Sequence, residues 1–160
     1  MRIKMTFLIF LFFTGFTFLY SQNENLLRTK VIEITGTKSE LYNRSLKWLV
    51  TRKSSPNENI ELEDIETGTI ISKRSYVAKG LFGTENKAFY NLVIKVKDNK
   101  VKIETSDPYI LLELNSMMAG KQDRKLPVDN KKTIKQYDTA IDKVLSDFET
   151  YMNNDKEDDW

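Results

Sequence analysis

The sequence contains no cysteine and no histidine. Without these side chains the protein has no Ser–His or Cys–His nucleophile system, no imidazole base that titrates near neutral pH, and no ordinary zinc or copper site. The lack of cysteine also excludes disulfide bonds and a thioether-linked lipid, so the protein is not a lipoprotein. The chemistries that remain are a carboxylate pair, a Ser–Lys pair and oxygen-ligated calcium.

Familiar catalytic motifs are missing as well, since the sequence has no EF-hand pattern, no glycine-rich phosphate loop and no nucleophile elbow. Several acidic residues could gather calcium, but their spacing matches no known loop, and we favour a solvated surface for them. These residues are Asp123, Asp129, Asp155, Glu157, Asp158 and Asp159. We therefore predict a protein that is not an enzyme, with no catalytic residue, no metal and no cofactor.

The first 21 residues have the three parts of a secretory signal peptide. Arg2 and Lys4 form a basic start, Met5–Tyr20 is an unbroken apolar run, and the chain becomes polar from Ser21 and Gln22 onward. We predict cleavage between Ser21 and Gln22, and a secreted or periplasmic protein that meets the membrane only transiently through this segment. An uncleaved anchor is the less favoured alternative, because the apolar run is about 16 residues and a spanning helix needs about 20.

The charge is balanced once that segment is removed. Arg2 and Lys4 leave with it, so 23 of the 25 basic residues remain beside 23 acidic residues. A general nucleic-acid binder carries a basic surplus, so we expect no nucleic-acid partner. The remaining length suits one domain, which we place at residues 22–152, followed by an acidic tail at 153–160 that we expect to be disordered.

Hydrophobic periodicity predicts one strand, a helix, four strands and a second helix. The strands are Thr29–Ile34, Asn59–Ile65, Thr69–Lys79, Lys87–Lys97 and Lys100–Ser106, and the helices are a segment ending near Lys53 and the segment Lys131–Met152. Each strand has one apolar face, and each helix has one apolar stripe. We therefore predict a two-layer α+β domain of β-α-β4-α order, in which two helices cover one face of an antiparallel sheet.

Two local patterns fix details of these elements. Thr37 and Glu40 have the spacing of a capping box and predict the start of the first helix. Asp98–Asn99 predicts a two-residue hairpin turn that pairs Val96 with Val101 and keeps the apolar residues of both strands on one face.

Two other segments carry separate predictions. Ile60 and Leu62 alternate with acidic residues, so we expect both side chains on the same face of their strand. The segment Asp107–Asn130 combines an apolar run with a charged one, and it either continues the sheet or forms a loop.

Several segments together carry a resemblance to a known family. They are Lys30–Ile34, Ser39–Leu49, the turn from Asp64 to Gly68–Thr69–Ile70, and Tyr90–Lys97 with its Asp98 turn. In these segments the chain resembles a family of secreted bacterial domains of unknown function with a fold like that of the TATA-binding protein (TBP). The resemblance spans roughly Thr29 to Ser106, and the last helix agrees in order only.

This resemblance implies the β-α-β4-α fold and carries over no catalytic residue, since the family has none assigned. The chain departs from the family in lacking a clear glycine before Asp98. The TBP-like fold does not by itself imply DNA binding, because a fold does not fix a function.

Four lysines form the strongest local charge feature. Lys95, Lys97, Lys100 and Lys102 fall on the outer face of one hairpin, with Glu104 nearby. They could hold an anionic glycan, a lipid headgroup or an acidic partner. The interpretation that we favour is a solvated strand face whose lysines deter edge-to-edge pairing.

The apolar run that begins at Tyr109 is the second candidate for an interaction surface. Tyr109, Leu111, Met117 and Met118 could together bind a partner strand or helix, because methionine adapts to varied surfaces. A short sixth strand or a loop packed over the core is the favoured alternative, since a long exposed apolar run is costly for a monomer.

Trp48 and Tyr42 lie on the apolar face of the first helix and could line a ligand pocket, although we favour ordinary core packing. We predict a non-catalytic binding module of the cell envelope, a monomer whose partner is an envelope protein, a glycan or a lipid. The alternatives are a small-molecule or lipid carrier with a cavity between helix and sheet and, less favoured, a carboxylate-based hydrolase.

Overall fold

The computed structural model describes residues 26–80, 84–116 and 120–154, without the side chains of residues 113–122. The predicted cleavage site at Ser21 and Gln22, the residues Met117 and Met118, and residues 155–160 of the acidic tail lie outside this description. The elements are β1 (Arg28–Glu33), α1 (Lys38–Thr51), β2 (Asn59–Asp64), β3 (Thr69–Lys79), β4 (Glu85–Lys97), β5 (Lys100–Ser116), β6 (Gly120–Pro127) and α2 (Lys131–Asn153).

The strands form one antiparallel sheet in the order β1-β5-β4-β3-β2, with β6 paired to β5. β1 and β6 lie one after the other along the same edge of β5, because β1 pairs with residues 100–105 and β6 with residues 109–116. The predicted α+β architecture with two helices is confirmed. β6 adds one strand, and it lies in the segment Asp107–Asn130 that the sequence left open.

Both helices begin at reciprocal side-chain caps. The hydroxyl of Thr37 accepts from the backbone N–H of Glu40 at 3.3 Å, and the Glu40 carboxylate accepts from the N–H of Thr37 at 2.8 Å. This confirms the predicted capping box. Asn130 and Thr133 form the equivalent pair at the start of α2. This second cap was not predicted from the sequence. The caps satisfy backbone N–H groups that have no partner within the helix.

The hairpin between β4 and β5 has the predicted turn and register. Val96 lies opposite Val101, and Asn99 adopts a left-handed φ of 59°. The turn is also fastened to the loop before α1, since Asn99 donates its N–H to the Gly36 carbonyl at 2.9 Å and Asp98 accepts from the N–H of Lys38 at 2.7 Å. The hairpin therefore helps to set the start of α1.

The prediction for β2 is wrong at one residue. The register of β2 against β3 shifts between Ile60 and Leu62, so that Ile60 lies opposite Ser72 but Leu62 lies opposite Ile71. Ile60 packs against the core, whereas Leu62 is 45% exposed on the other face. The cause is the β-bulge, because an extra residue reverses the alternation of side chains after it.

The core fills the space between the two helices and one face of the sheet. Trp48 is 1% exposed, packs edge-on against Phe148 at 4.8 Å between ring centroids, and donates from Nε1 to Asp147 at 2.8 Å. Tyr42 is also buried. Both residues therefore belong to the core, as the favoured interpretation predicted. Among the described helices, none is long and apolar enough to cross a membrane.

Candidate functional site

The face of the sheet opposite the helices carries the candidate binding site. Both helices pack on one side, and no element among the described residues packs on the other, which we call the uncovered face. Strand alternation and register place on it, among other described residues, Val31, Glu33, Leu62, Asp64, Ile71, Lys73, Val77, Phe89, Asn91, Val93, Lys95, Lys97, Lys100, Lys102, Glu104, Tyr109, Leu111, Asp123 and Lys125. Several apolar side chains are thus left outside the core.

The structure brings the four predicted lysines together on this face. Lys95 lies opposite Lys102, and Lys97 lies opposite Lys100. Like charges directly opposite each other destabilise a strand pair unless they are neutralised. Glu104 provides part of that neutralisation, because its carboxylate lies 2.7 Å from Lys102 Nζ and 3.4 Å from Lys95 Nζ.

The remaining ion pair of this hairpin joins Lys100 to Glu33 at 3.1 Å. Lys97 makes no ion pair with any residue in the described ranges. The hydrogen bond from Lys102, helped by the one from Lys95, outweighs the effect of burial and lowers the pKa of Glu104, which therefore stays charged at neutral pH. Three of the four lysines are paired, so the hairpin offers less free positive charge than its sequence indicates.

A second group on the uncovered face combines two aromatic rings with two lysines. We call Lys73, Phe89, Tyr109 and Lys125 the aromatic–lysine cluster. Phe89 and Tyr109 are directly opposed on β4 and β5, and their rings stack with centroids 5.4 Å apart and planes inclined by 26°. Phe89 is only 3% exposed, although it lies outside the core between the helices and the sheet.

The two lysines of the cluster lie over these rings. Lys73 Nζ is 4.9 Å from the centroid of Phe89 and 5.5 Å from that of Tyr109, and Lys125 Nζ is 4.7 Å from that of Tyr109. An ammonium group in this position is attracted to the ring by about 0.5–1 kcal/mol at an exposed site. In the part of the chain that the structure describes, no carboxylate lies within ion-pair distance of either lysine. Both ammonium groups can therefore still receive an anion.

A β-bulge in β5 creates the cluster. The register against β4 shifts between Phe89 and Asn91, and Asp107 adopts a φ of 52° at this point. Without the extra residue, Pro108 would lie opposite Phe89 and Tyr109 would face the helices. The Asp107 carboxylate accepts hydrogen bonds from Ser106 Oγ at 2.9 Å and Asn91 Nδ2 at 3.3 Å, which hold the bulge in place.

Of the second predicted surface, which begins at Tyr109, the described residues are Tyr109 and Leu111, and both lie half-buried on the uncovered face. The sequence prediction missed Lys73, Phe89 and Lys125. For Phe89 a signal was present, since it is an apolar residue on the polar side of the alternation in β4. For Lys73 and Lys125 there was no local signal, because only the pairing of distant strands brings them to the same rings.

One buried ion pair lies away from this face. Glu58 and Arg74 are 1% and 7% exposed, and Glu58 Oε2 lies 3.4 Å from Arg74 Nη1. Ser54 donates to the same carboxylate from its hydroxyl at 2.6 Å and from its N–H at 3.0 Å. Arg74 also donates to the carbonyl oxygens of Leu49 and Arg52. The bonds of this pair go to the chain itself, so we assign it a structural role.

The described residues contain no group of three or more acidic side chains arranged to hold a metal ion. One depression among the described residues lies at the turn of the β4–β5 hairpin and is widely open to solvent, with Glu33, Lys97, Asp98 and Lys100 among its lining residues.

Comparison with known proteins identifies the class of domain. The sequence profile of DUF4468, a domain of unknown function with a TBP-like fold, matches residues 29–110. The chain therefore belongs to the DUF4468 family. No curated protein matches the sequence.

Two solved structures are similar to this one. A TBP-like protein from Parabacteroides distasonis ATCC 8503 has a TM-score of 0.63 and 15% sequence identity, over 84% of this chain and 96% of that chain. A DUF4468 family protein from Bacteroides ovatus ATCC 8483 has a TM-score of 0.49 and 14% identity, over 76% of this chain and 85% of that chain. At this level of identity the first similarity establishes the fold and nothing more.

Proposed function

We propose that this protein is a non-catalytic binding module that works outside the cytoplasm and holds a protein partner on the uncovered face of its sheet. The export part of the proposal rests on the signal-peptide pattern of residues 1–21. The binding part rests on how apolar side chains are distributed over the uncovered face.

The observation that carries the proposal is a row of apolar residues across three strands. Leu62 of β2 lies opposite Ile71 of β3, and Ile71 lies opposite Val93 of β4. Leu62 is 45% exposed, while the other two are half-buried. Lys95 and Glu104 lie at the margin of this row. An apolar centre with a charged rim is the usual composition of a protein–protein interface.

The carrier hypothesis has less support. The space between the helices and the sheet is filled by large side chains, among them Trp48, Tyr90, Tyr137 and Phe148, each at most 2% exposed. A ligand at this place would have to displace well-packed core residues, at a cost of several kcal/mol. The hydrolase hypothesis has no support from Glu58, the buried carboxylate among the described residues, because its partners are Arg74 and two serines.

A DNA partner also has little support from the uncovered face. Glu33, Asp64 and Glu104 lie among its lysines, and a phosphate backbone would be repelled by them. For the same reason a flat anionic membrane is a poor match.

The test is capture of the partner by the mature chain, residues 22–160, after gentle cross-linking in its own host. Leu62→Asp places a charge in the apolar row at a residue that is already exposed, so the variant should fold. Val50→Asp makes the same change at a residue of α1 that is 62% exposed on the helix side. We expect the same protein to be recovered with the wild type and with Val50→Asp, and to be lost with Leu62→Asp. Undiminished recovery with Leu62→Asp would contradict the proposal.

A further inference from the structure

We propose that the aromatic–lysine cluster is the part of this surface that binds carboxylates, and that it receives an acidic peptide segment of the partner protein. This inference rests on the proposed function, since it names the chemistry by which the uncovered face recognises its partner.

The first argument is the state of the two ammonium groups. Lys73 and Lys125 lie over aromatic rings and make no hydrogen bond or ion pair with any residue in the described ranges. On the neighbouring hairpin, by contrast, Lys95, Lys100 and Lys102 each have a carboxylate of the chain itself. An ammonium group has three donors, and those of Lys73 and Lys125 are not used within the described chain.

The second argument is the position of the rings. Phe89 is almost fully buried on a face where no described helix lies, and its ring stacks on Tyr109 and lies beneath the ammonium group of Lys73. The rings therefore support both lysine stems. At Lys73, which is half-buried whereas Lys125 is exposed, they also reduce the contact of the ammonium group with water. A charge–charge contact is stronger where water is partly excluded. An incoming carboxylate would gain more here than at a fully solvated lysine.

The third argument favours a peptide over a glycan. Apolar side chains continue on both sides of the cluster, with Ile71 and Val93 along β3 and β4 toward the Gly68 turn and Leu111 toward the β5–β6 hairpin. Leucine or valine side chains of a peptide would cover these residues, whereas the hydroxyl groups of a polysaccharide would leave them uncovered and lose hydrogen bonds to water. The chemistry of the face thus fits a peptide that presents acidic and apolar side chains on the same side.

The experiment uses two capped hexapeptides, Glu-Glu-Leu-Leu-Glu-Glu and Gln-Gln-Leu-Leu-Gln-Gln. In an extended conformation each side of the first peptide carries both acidic and apolar side chains. Each peptide is titrated into the mature chain, and binding is followed by fluorescence anisotropy and by amide shifts in NMR spectra. We expect the Glu peptide to bind at least about tenfold more tightly than the Gln peptide. We also expect its affinity to fall with salt and its shifts to centre on Lys73, Phe89, Tyr109 and Lys125.

The variant K73E/K125E reverses both charges of the cluster. The control K47E/K135E makes the same change of net charge at two exposed lysines of the helices. The first should weaken binding of the Glu peptide by at least about tenfold, and the second by less than about threefold. Equal affinity for the two peptides, no binding of either, or full binding by K73E/K125E would overturn the inference.

Two further probes separate the sources of negative charge. Polygalacturonate and phosphatidylglycerol vesicles present anions without a peptide, and tighter binding of either than of the Glu peptide would overturn the assignment to a peptide. Capture from the host distinguishes this inference from the proposed function. A partner lost with Leu62→Asp but retained with K73E/K125E would remove the carboxylate assignment and leave the binding face in place.

Discussion

The carboxylate of Glu58 accepts hydrogen bonds from both the backbone N–H and the hydroxyl of Ser75, at 3.1 and 2.7 Å. On that edge of β3, pairing with β2 reaches only as far as Lys73. Ser75 therefore lies just beyond the part of β3 that β2 covers on this edge, and the buried side chain of Glu58 takes the place of a strand there.

The far end of the same edge is closed in a similar way. Gln136 of α2 accepts from the N–H of Lys79 at 2.7 Å and donates to the Lys79 carbonyl at 3.0 Å. Lys132 donates to the carbonyl of Gly80, the next residue. An edge with free backbone groups invites pairing with another chain, so these side chains protect β3 from aggregation. These side-chain bonds stabilise this edge of β3.

Glu58→Gln should destabilise the protein by about 3–5 kcal/mol, because removing one partner of a buried ion pair leaves the charge of Arg74 uncompensated. The measurement is the free energy of unfolding from urea denaturation. Glu61→Gln is the matched control, since Glu61 is an exposed carboxylate of β2 and should change the free energy by less than about 0.5 kcal/mol. Similar values for the two variants would mean that Glu58 does not anchor the edge.

The contribution of Glu58 to the free energy of unfolding should disappear in acid. Burial raises the pKa of Glu58, but hydrogen bonds from Ser54 and Ser75 and the charge of Arg74 outweigh burial and bring the pKa below its ordinary value. A lowered pKa stabilises the folded state above the unfolded value of about 4.3, and this stabilisation is lost as the pH falls through the folded value.

The difference in free energy of unfolding between the wild type and Glu58→Gln should therefore be constant from about pH 7 to pH 5 and shrink below about pH 4. Urea denaturation of both proteins across this range measures it. A difference that stays unchanged at about pH 3 would show that the pKa of Glu58 is not lowered by folding.

Trp48→Ala should lower the free energy of unfolding by about 3–5 kcal/mol, since it removes the largest buried side chain between α1 and α2. Trp48→Phe keeps a ring against Phe148 but loses the hydrogen bond to Asp147, so it should cost less than the alanine variant. Val50→Ala, at an exposed residue of the same helix, serves as the control. A negligible loss with Trp48→Ala would indicate that this side chain is kept for contact with a partner.

Gly68→Ala should destabilise the turn before β3 by about 1–2 kcal/mol from the backbone alone, because Gly68 has a φ of 71°. A Cβ atom there would also overlap the carbonyl oxygen of Val96, so the total cost should be larger. The turn cannot move away without losing the bond from the Val96 N–H to the Gly68 carbonyl at 2.8 Å. Glu66→Ala in the same turn is the control, and equal midpoints of thermal unfolding for the two variants would contradict this account.

Local patterns were enough to predict most of the elements. The span of β3 agrees with the prediction at both ends, and the capping box at Thr37 and the Asp98–Asn99 hairpin are confirmed. The stripe of α2 that includes Tyr137 and Phe148 is buried as predicted. These features depend on residues within a few positions of each other, so the sequence contains the information that decides them.

The candidate site could be predicted only in part. The sequence placed Lys95, Lys97, Lys100 and Lys102 on one face, because a hairpin register follows from its turn. It could not show that Glu33 of a distant strand neutralises Lys100. Ion pairs across a sheet depend on strand order, and strand order is a property of the whole fold.

The sequence by itself determined that this chain carries no cysteine or histidine side chain, that two amphipathic helices cover an antiparallel sheet, and where most of those elements begin and end. The tertiary structure decided which residues meet on the uncovered face. The bulge at Asp107 turns Tyr109 toward Phe89, and the pairing of β3, β4, β5 and β6 brings Lys73 and Lys125 over the two rings. The physical reason is that one extra residue in a strand reverses every side chain after it, and only the pairing of distant segments determines where that residue is tolerated.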